Sequence, residues 1–175
     1  MRIASLKVLV AASLMAARPV SAQSPIQLSL FDPVQIVKAG SSVEGVRLSL
    51  IYTKNANVSF VDLGGLYNLT TGNGSGVQWA FVPHTKGTFS GWQSGLVAVT
   101  EGMFTGLQTG TITKAGSGKG VQYGFVNIAT SWNGLQLGAV NVADNMKGGG
   151  LQIGLINVIK QGGKFPVFPI VNWTF

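Results

Sequence analysis

The stretch Gly120-Val-Gln-Tyr-Gly-Phe-Val-Asn-Ile128 returns as Gly134-Leu-Gln-Leu-Gly-Ala-Val-Asn-Val142 and again as Gly150-Leu-Gln-Ile-Gly-Leu-Ile-Asn-Val158. The shared pattern is G-φ-Q-φ-G-φ-φ-N-φ, with φ apolar. Working back along the chain gives Gly106-Leu-Gln-Thr-Gly110, Gly91-Trp-Gln-Ser-Gly95 and Gly76-Val-Gln-Trp-Ala80, then weaker copies at Phe60 and Gly45. A divergent copy begins at Phe165. The starts are 45, 60, 76, 91, 106, 120, 134, 150 and 165, so every step is 14 to 16 residues. A fixed period of this kind marks a repeat architecture, in which each unit buries its faces against its neighbours.

The third position of the unit is Gln in six copies, with Arg47, Asp62 and Val167 in its place elsewhere. The fifth is small or Pro, from Ser49 to Gly154 and Pro169, and the seventh is aliphatic throughout. Side chains alternate along an extended strand, so positions three, five and seven are expected on one constrained, inward face. Positions two, four and six fall on the other face, which is apolar apart from residues such as Ser94, Thr109 and Thr111. Glycine-containing segments separate the copies: Thr85-Lys-Gly-Thr88, Thr100-Glu-Gly-Met103 and, more loosely, Gly116-Ser-Gly-Lys119. They read as hairpin turns, because Gly accepts the positive φ such turns demand. No helical pattern appears after residue 22, and residues 23–175 read as a single β-repeat domain.

Two all-β architectures accommodate this unit. The first is an antiparallel meander closed into a barrel of about ten strands, the nine copies plus a strand near Ile26–Val37. Eleven residues at ~3.3 Å rise and ~40° tilt stand ~27 Å tall, close to the apolar band of an outer-membrane barrel. The ending Val171-Asn-Trp-Thr-Phe175 alternates like the terminal signal of such barrels. This is the expected fold. The alternative is a β-solenoid of about nine coils, in which identical units stack in parallel and Gln and Asn form ladders.

Residues 1–22 have the form of a secretory signal peptide: Arg2 and Lys7, an apolar run from Val8 to Ala17, and small residues up to Ala22. With that segment removed, nine basic and five acidic residues remain, a net charge of +4. The basic residues are scattered, which argues against nucleic acid as a partner. The chain contains no cysteine, so disulfides, thiol chemistry and lipid attachment at a cysteine are excluded.

The repeats, with the Gln27–Ile36 stretch and the Phe165–Phe175 ending, resemble a group of bacterial proteins described as surface-repeat-containing proteins. The likeness spans about Ile26 to Phe175. It implies export and a surface location, and no enzymatic activity. The outer membrane or cell envelope is therefore the expected partner of a structural or interaction protein. A secreted solenoid that binds a protein or carbohydrate is the alternative.

Candidate chemistry is sparse, and no catalytic, cofactor-binding or metal-binding residue is assigned. His84, the single histidine, reads as an exposed residue beside a turn. Ala115-Gly-Ser-Gly-Lys-Gly120 fails as a phosphate loop, since Gly120 stands where Ser or Thr is required. Arg47 and Asp62 occupy the Gln position of successive copies and are expected to pair. An opposite-charge pair with no third partner is not an acid–base system.

Overall fold

The computed structural model describes residues 23–146 and 148–175; residues 1–22, the segment expected to be a signal peptide, lie outside them. Twelve strands are present, and with two exceptions their pairings are parallel. β1 (Gln23–Phe31), β3 (Ser42–Ser49), β5 (Val58–Gly64) and β7 (Gly74–Trp79) stack in parallel register on one side. β4 (Tyr52–Asn55), β6 (Tyr67–Thr70) and β8 (Val82–Thr85) stack on the other. β9 (Phe89–Leu137) continues both stacks as one extended run that passes repeatedly from side to side. β10 (Val140–Asn145) and β11 (Gly150–Gln161) extend them further.

The fold is therefore a two-sided β-solenoid of about nine coils, one repeat to a coil. It is not a barrel. The register runs Gly76 beside Gly91, Gln78 beside Gln93, Asn141 beside Asn127 and Asn157. Each residue lies next to its own counterpart one unit away, which an antiparallel meander cannot provide. The expected hairpins are instead corners where the chain turns from one side to the other. Gly87 and Gly102 stand there for want of space: a Cβ on Gly102 would meet the Gly87 carbonyl oxygen at 2.5 Å, and one on Gly87 would meet that of Gly72 at 2.5 Å.

Positive φ is needed elsewhere, at the first position of the unit. Gly45, Gly76, Gly91, Gly106, Gly120 and Gly134 all have φ between 95° and 149°. Only glycine reaches this region without strain. Phe60 holds the equivalent place with φ 93°.

Both ends depart from the repeat. At the start, Gln27 pairs with Arg47 in register, so β1 is a coil of the same kind. Its partner lies 20 residues on, because β2 (Val34–Gln35) folds back on β1 within the insertion. At the end, the copy at Phe165 is not a coil. β12 (Val167–Trp173) runs antiparallel to β11, with Gln152 opposite Asn172, and covers the last coil. Val167, aligned with the inward Gln column, is exposed.

Candidate interaction surface

The inward positions determine what remains outside. Gln78, Gln93, Gln108, Gln122, Gln136 and Gln152 are all buried and form one column. Each Nε2 donates to the Oε1 of the preceding Gln, over 2.6–2.8 Å from Gln152 down to Gln93. The column ends where Gln78 Nε2 donates to Asp62 Oδ2 at 2.7 Å. Asp62 also accepts from Arg47 Nε and Nη2 at 2.7 and 2.5 Å, and from Asn68 Nδ2 at 2.6 Å. The pair expected from sequence is thus the terminus of the ladder. The aligned amides turn their positive ends toward the buried carboxylate, as a helix does toward an anion at its N-terminus. At the other end Gln152 Oε1 has no partner among the described residues.

A second column runs the opposite way. Asn127 Nδ2 donates to Asn141 Oδ1 at 2.7 Å, and Asn141 Nδ2 to Asn157 Oδ1 at 2.8 Å. The same amides reach back three residues to carbonyls at the corner. Asn127 donates to Gly124 at 3.2 Å and Asn157 to Gly154 at 2.9 Å. This is why the unit reads G-φ-φ-N: the glycine leaves room at the corner and the asparagine latches it. A Cβ on Gly138 would strike the Gly124 carbonyl and Asn127 Nδ2.

The corner also corrects the face assignment. Alternation holds from position one to five and then breaks, so position seven points outward and position eight inward. Ile51, Leu66, Ile112 and Ile156 are exposed, whereas Asn127, Asn141 and Asn157 are buried. In the coils at Gly45 and Phe60 the corner is one residue longer. Tyr52 and Tyr67 there stand in line with Val82, and Asn68 in line with Pro83. The apolar core is confined to the remaining space. Phe89, Phe104 and Trp132 stack with centroids 5.8 and 6.1 Å apart. They are joined by Ala115, Ala129, Ala143, Met146 and Ile159. Gly74 and Gly118 leave the space that Phe89 and Trp132 fill.

With amides inside, the apolar side chains lie outside. Position two runs Ile26, Val46, Val61, Val77, Trp92, Leu107, Val121, Leu135, Leu151, and none of these is buried. Position four adds Leu28, Leu48, Leu63, Trp79, Tyr123 and Ile153, all exposed. Leu50, Phe81, Leu96, Phe125 and Leu155 project from the corner between 42% and 68% exposed. The result is a ridge, made of one sheet face, the corner and the first outward position of the second side, without one charged residue in the coils from Arg47 to Gln152. At the amino end it continues into an open apolar groove of about 660 Å³ between Leu28, Leu30, Val34, Ile36, Leu48 and Leu50. Charged side chains gather at the opposite edge: Glu44 and Lys119 just before position one, Lys86, Glu101, Asp144 and Lys160 at the second corner. Lys160 and Asp144 pair there at 2.7 Å.

One cluster of titratable groups lies on the second side. His84 is in β8 and partly buried, not in a turn. Its Nδ1 is 2.6 Å from the Tyr67 hydroxyl and its Nε2 2.8 Å from Glu101 Oε1. Tyr52 stacks on Tyr67 at 5.6 Å. Burial raises the Tyr67 pKa above its usual value, with smaller contributions from Tyr52 and Glu101. Tyr67 is in register with Val82, His84 with Leu69 and Val99, and Glu101 follows Thr100, so the three groups come from successive coils at different register positions and meet diagonally across the second side. Among the described residues no group of three His, Cys, Asp or Glu side chains is arranged to hold a metal ion. No described helix is long and apolar enough to cross a membrane. Comparison of the chain with protein-family models, with curated proteins and with solved structures gives no match.

Proposed function

We propose that this chain is an exported cell-envelope protein, associated with the outer membrane or displayed at the surface, that acts as a structural or interaction element and not as an enzyme. The observation that carries the reading is the polarity of the solenoid, with hydrogen-bonded amides inside and a charge-free apolar ridge outside. Monomeric proteins in water rarely expose a contiguous apolar patch beyond a few hundred Å², and larger ones mark contact sites. The resemblance to surface-repeat proteins and the export signal in residues 1–22 support the same reading.

The test is expression in a Gram-negative host, followed by fractionation and mass spectrometry of the isolated chain. The expected outcome is a chain that begins at Gln23 and is recovered with the envelope. Recovery of the uncleaved chain in the cytoplasm would overturn the proposal. A second reading, a secreted solenoid that binds a protein or carbohydrate along its repetitive face, is favoured by the continuous outward columns. Recovery from the medium without detergent would support it.

A further inference from the structure

We propose that the charge-free ridge is a lipid-binding face, lying in the boundary between headgroups and acyl chains of a bilayer that contains anionic lipid. This rests on the envelope reading and names its partner. Four features of the structure support it.

Positions two, four and six carry no charge in any coil from Gln27 to Gln152, and the outward residue after the corner carries none from the Arg47 coil onward; in the first coil Asp32 lies near Tyr52. Eight steps of ~4.8 Å make the ridge roughly 38 Å long. Its projecting residues include Trp79, Phe81, Trp92, Tyr123 and Phe125, each at least 45% exposed. Aromatic residues of this kind favour the bilayer interface, where a ring meets hydrocarbon and a polar tip meets water.

The backbone suits the same setting. Between the ends of the stack each strand is hydrogen-bonded to the coil before and the coil after it, and the open edges fall at the ends, at β2, β4 and β12. Between those ends the ridge therefore presents side chains and no open strand edge to lipid, where an unpaired backbone group is costly. Charge placement agrees. Lys54 and Lys114 stand two residues beyond the last ridge position, Tyr52 and Ile112 respectively, hence roughly 7 Å further round the coil. A ridge buried ~5–10 Å deep brings these lysines to headgroup level, where they meet anionic phosphate.

The shape selects lipid over a second copy of the chain. The ridge is convex, with Leu50, Phe81, Leu96, Phe125 and Leu155 along its crest. A rigid second copy packed against the sheet face leaves the crest and the outward position beyond it in water. A fluid acyl phase covers all three.

The measurement is sedimentation with vesicles of phosphatidylcholine and phosphatidylglycerol at three to one, using the full chain as purified from expressing cells. The double variant Phe81→Ser/Phe125→Ser is compared with Ser75→Asn on the polar edge. Both substituted phenylalanines are exposed, and circular dichroism checks that the fold is retained. The parent and Ser75→Asn should sediment with vesicles, and bromine-labelled acyl chains should quench the fluorescence of Trp79 and Trp92. The double variant should partition at least tenfold less. Any leader is common to all three proteins, so the difference reports on the ridge. Equal binding by the double variant would overturn the proposal. So would failure of the folded parent to bind, or a dimer in the absence of lipid that the double variant dissolves. Envelope recovery without vesicle binding removes the lipid assignment and leaves the envelope reading standing. Vesicle binding by a chain that cells retain in the cytoplasm does the reverse.

Discussion

At the scale of single residues, two kinds of position hold the solenoid: those that need a backbone only glycine accepts, and those that need a hydrogen-bond partner. Phe60 violates the first rule. It sits at φ 93° with its side chain 73% exposed, in line with glycines. A non-glycine residue held in such a region costs about 1–3 kcal/mol, more than the roughly 1 kcal/mol of extra chain entropy that glycine loses on folding. Phe60→Gly should raise stability by about 1 kcal/mol in urea unfolding; a fall would show that the ring makes a contact worth more than the strain.

The ladder gives a graded prediction. Gln122→Leu removes the acceptor of Gln136 Nε2 and the donor to Gln108 Oε1 at once. Two buried groups are then left unpaired, at about 1–3 kcal/mol each. Each variant also loses a donor to a backbone carbonyl, that of Ile128 for Gln122 and that of Val158 for Gln152. Within the column itself Gln152→Leu strands only Gln136 Oε1, and it removes an oxygen that already lacks a partner. Denaturant unfolding should show the loss at Gln122 to exceed that at Gln152 by the cost of one unpaired group, about 1–3 kcal/mol. Equal losses would mean that the amides act as spacers and not as a bonded column. Gln at position three could be recognised from sequence as inward and networked, because six copies keep it while its neighbours vary. The polarity of the network could not, since donor direction is decided only by what lies at its two ends.

At the scale of the element, the corner carries the largest difference between sequence and structure. Alternation is the same for parallel and antiparallel strands, so the pattern placed positions two and four outward without revealing the direction of the neighbours. The glycine at position five marks a close approach, and a bend there shifts the alternation by one. Position seven therefore points out and the asparagine in. Gly138→Val puts a branched side chain against the Gly124 carbonyl and the Asn127 amide, whereas Ala139 is half-exposed at the outward position of the corner that Phe125 and Leu155 occupy in the neighbouring coils. Overpacking of that kind costs about 1–3 kcal/mol, so Gly138→Val should lower the melting temperature clearly and Ala139→Val hardly at all. Equal melting temperatures would contradict the corner geometry.

The terminal elements were hidden for different reasons. Gln27 belongs to the inward column, but the β2 insertion stretches the step to 20 residues and breaks the period. Phe165–Phe175 keeps the spacing of a repeat while running the other way, and spacing carries no information about direction. The barrel expectation took Val171–Phe175 for a terminal barrel signal. In the solenoid Phe175 is 82% exposed and lies beyond β12. Phe175→Ser should leave stability within about 0.5 kcal/mol, as for other exposed positions. Deletion of residues 165–175 should fray the last coil in hydrogen exchange, because Asn157 Nδ2 loses the Phe168 carbonyl and β11 loses its cover. Loss of protection throughout the chain would contradict a stack in which each coil depends mainly on its neighbours.

At the scale of the whole molecule, the ordinary arrangement of polarity is reversed over much of the length. Two amide columns of opposite direction fill the centre, a narrow aromatic and aliphatic core runs beside them, and most remaining apolar side chains face outward. All of this depends on one claim, that successive units stack in parallel and in register. Ser75 and Ser90 test it directly. They are register partners in adjacent coils, and both side chains are exposed on the polar edge. The chain has no native cysteine, so Ser75→Cys/Ser90→Cys can be spin-labelled without further changes. In-register parallel strands lie ~4.8 Å apart, which predicts strong dipolar broadening in the electron paramagnetic resonance spectrum of the doubly labelled protein. An antiparallel meander places the same two residues at opposite ends of neighbouring strands, roughly 33 Å apart at a ~3.3 Å rise over an eleven-residue strand. A spectrum indistinguishable from the sum of the two singly labelled proteins would contradict the solenoid.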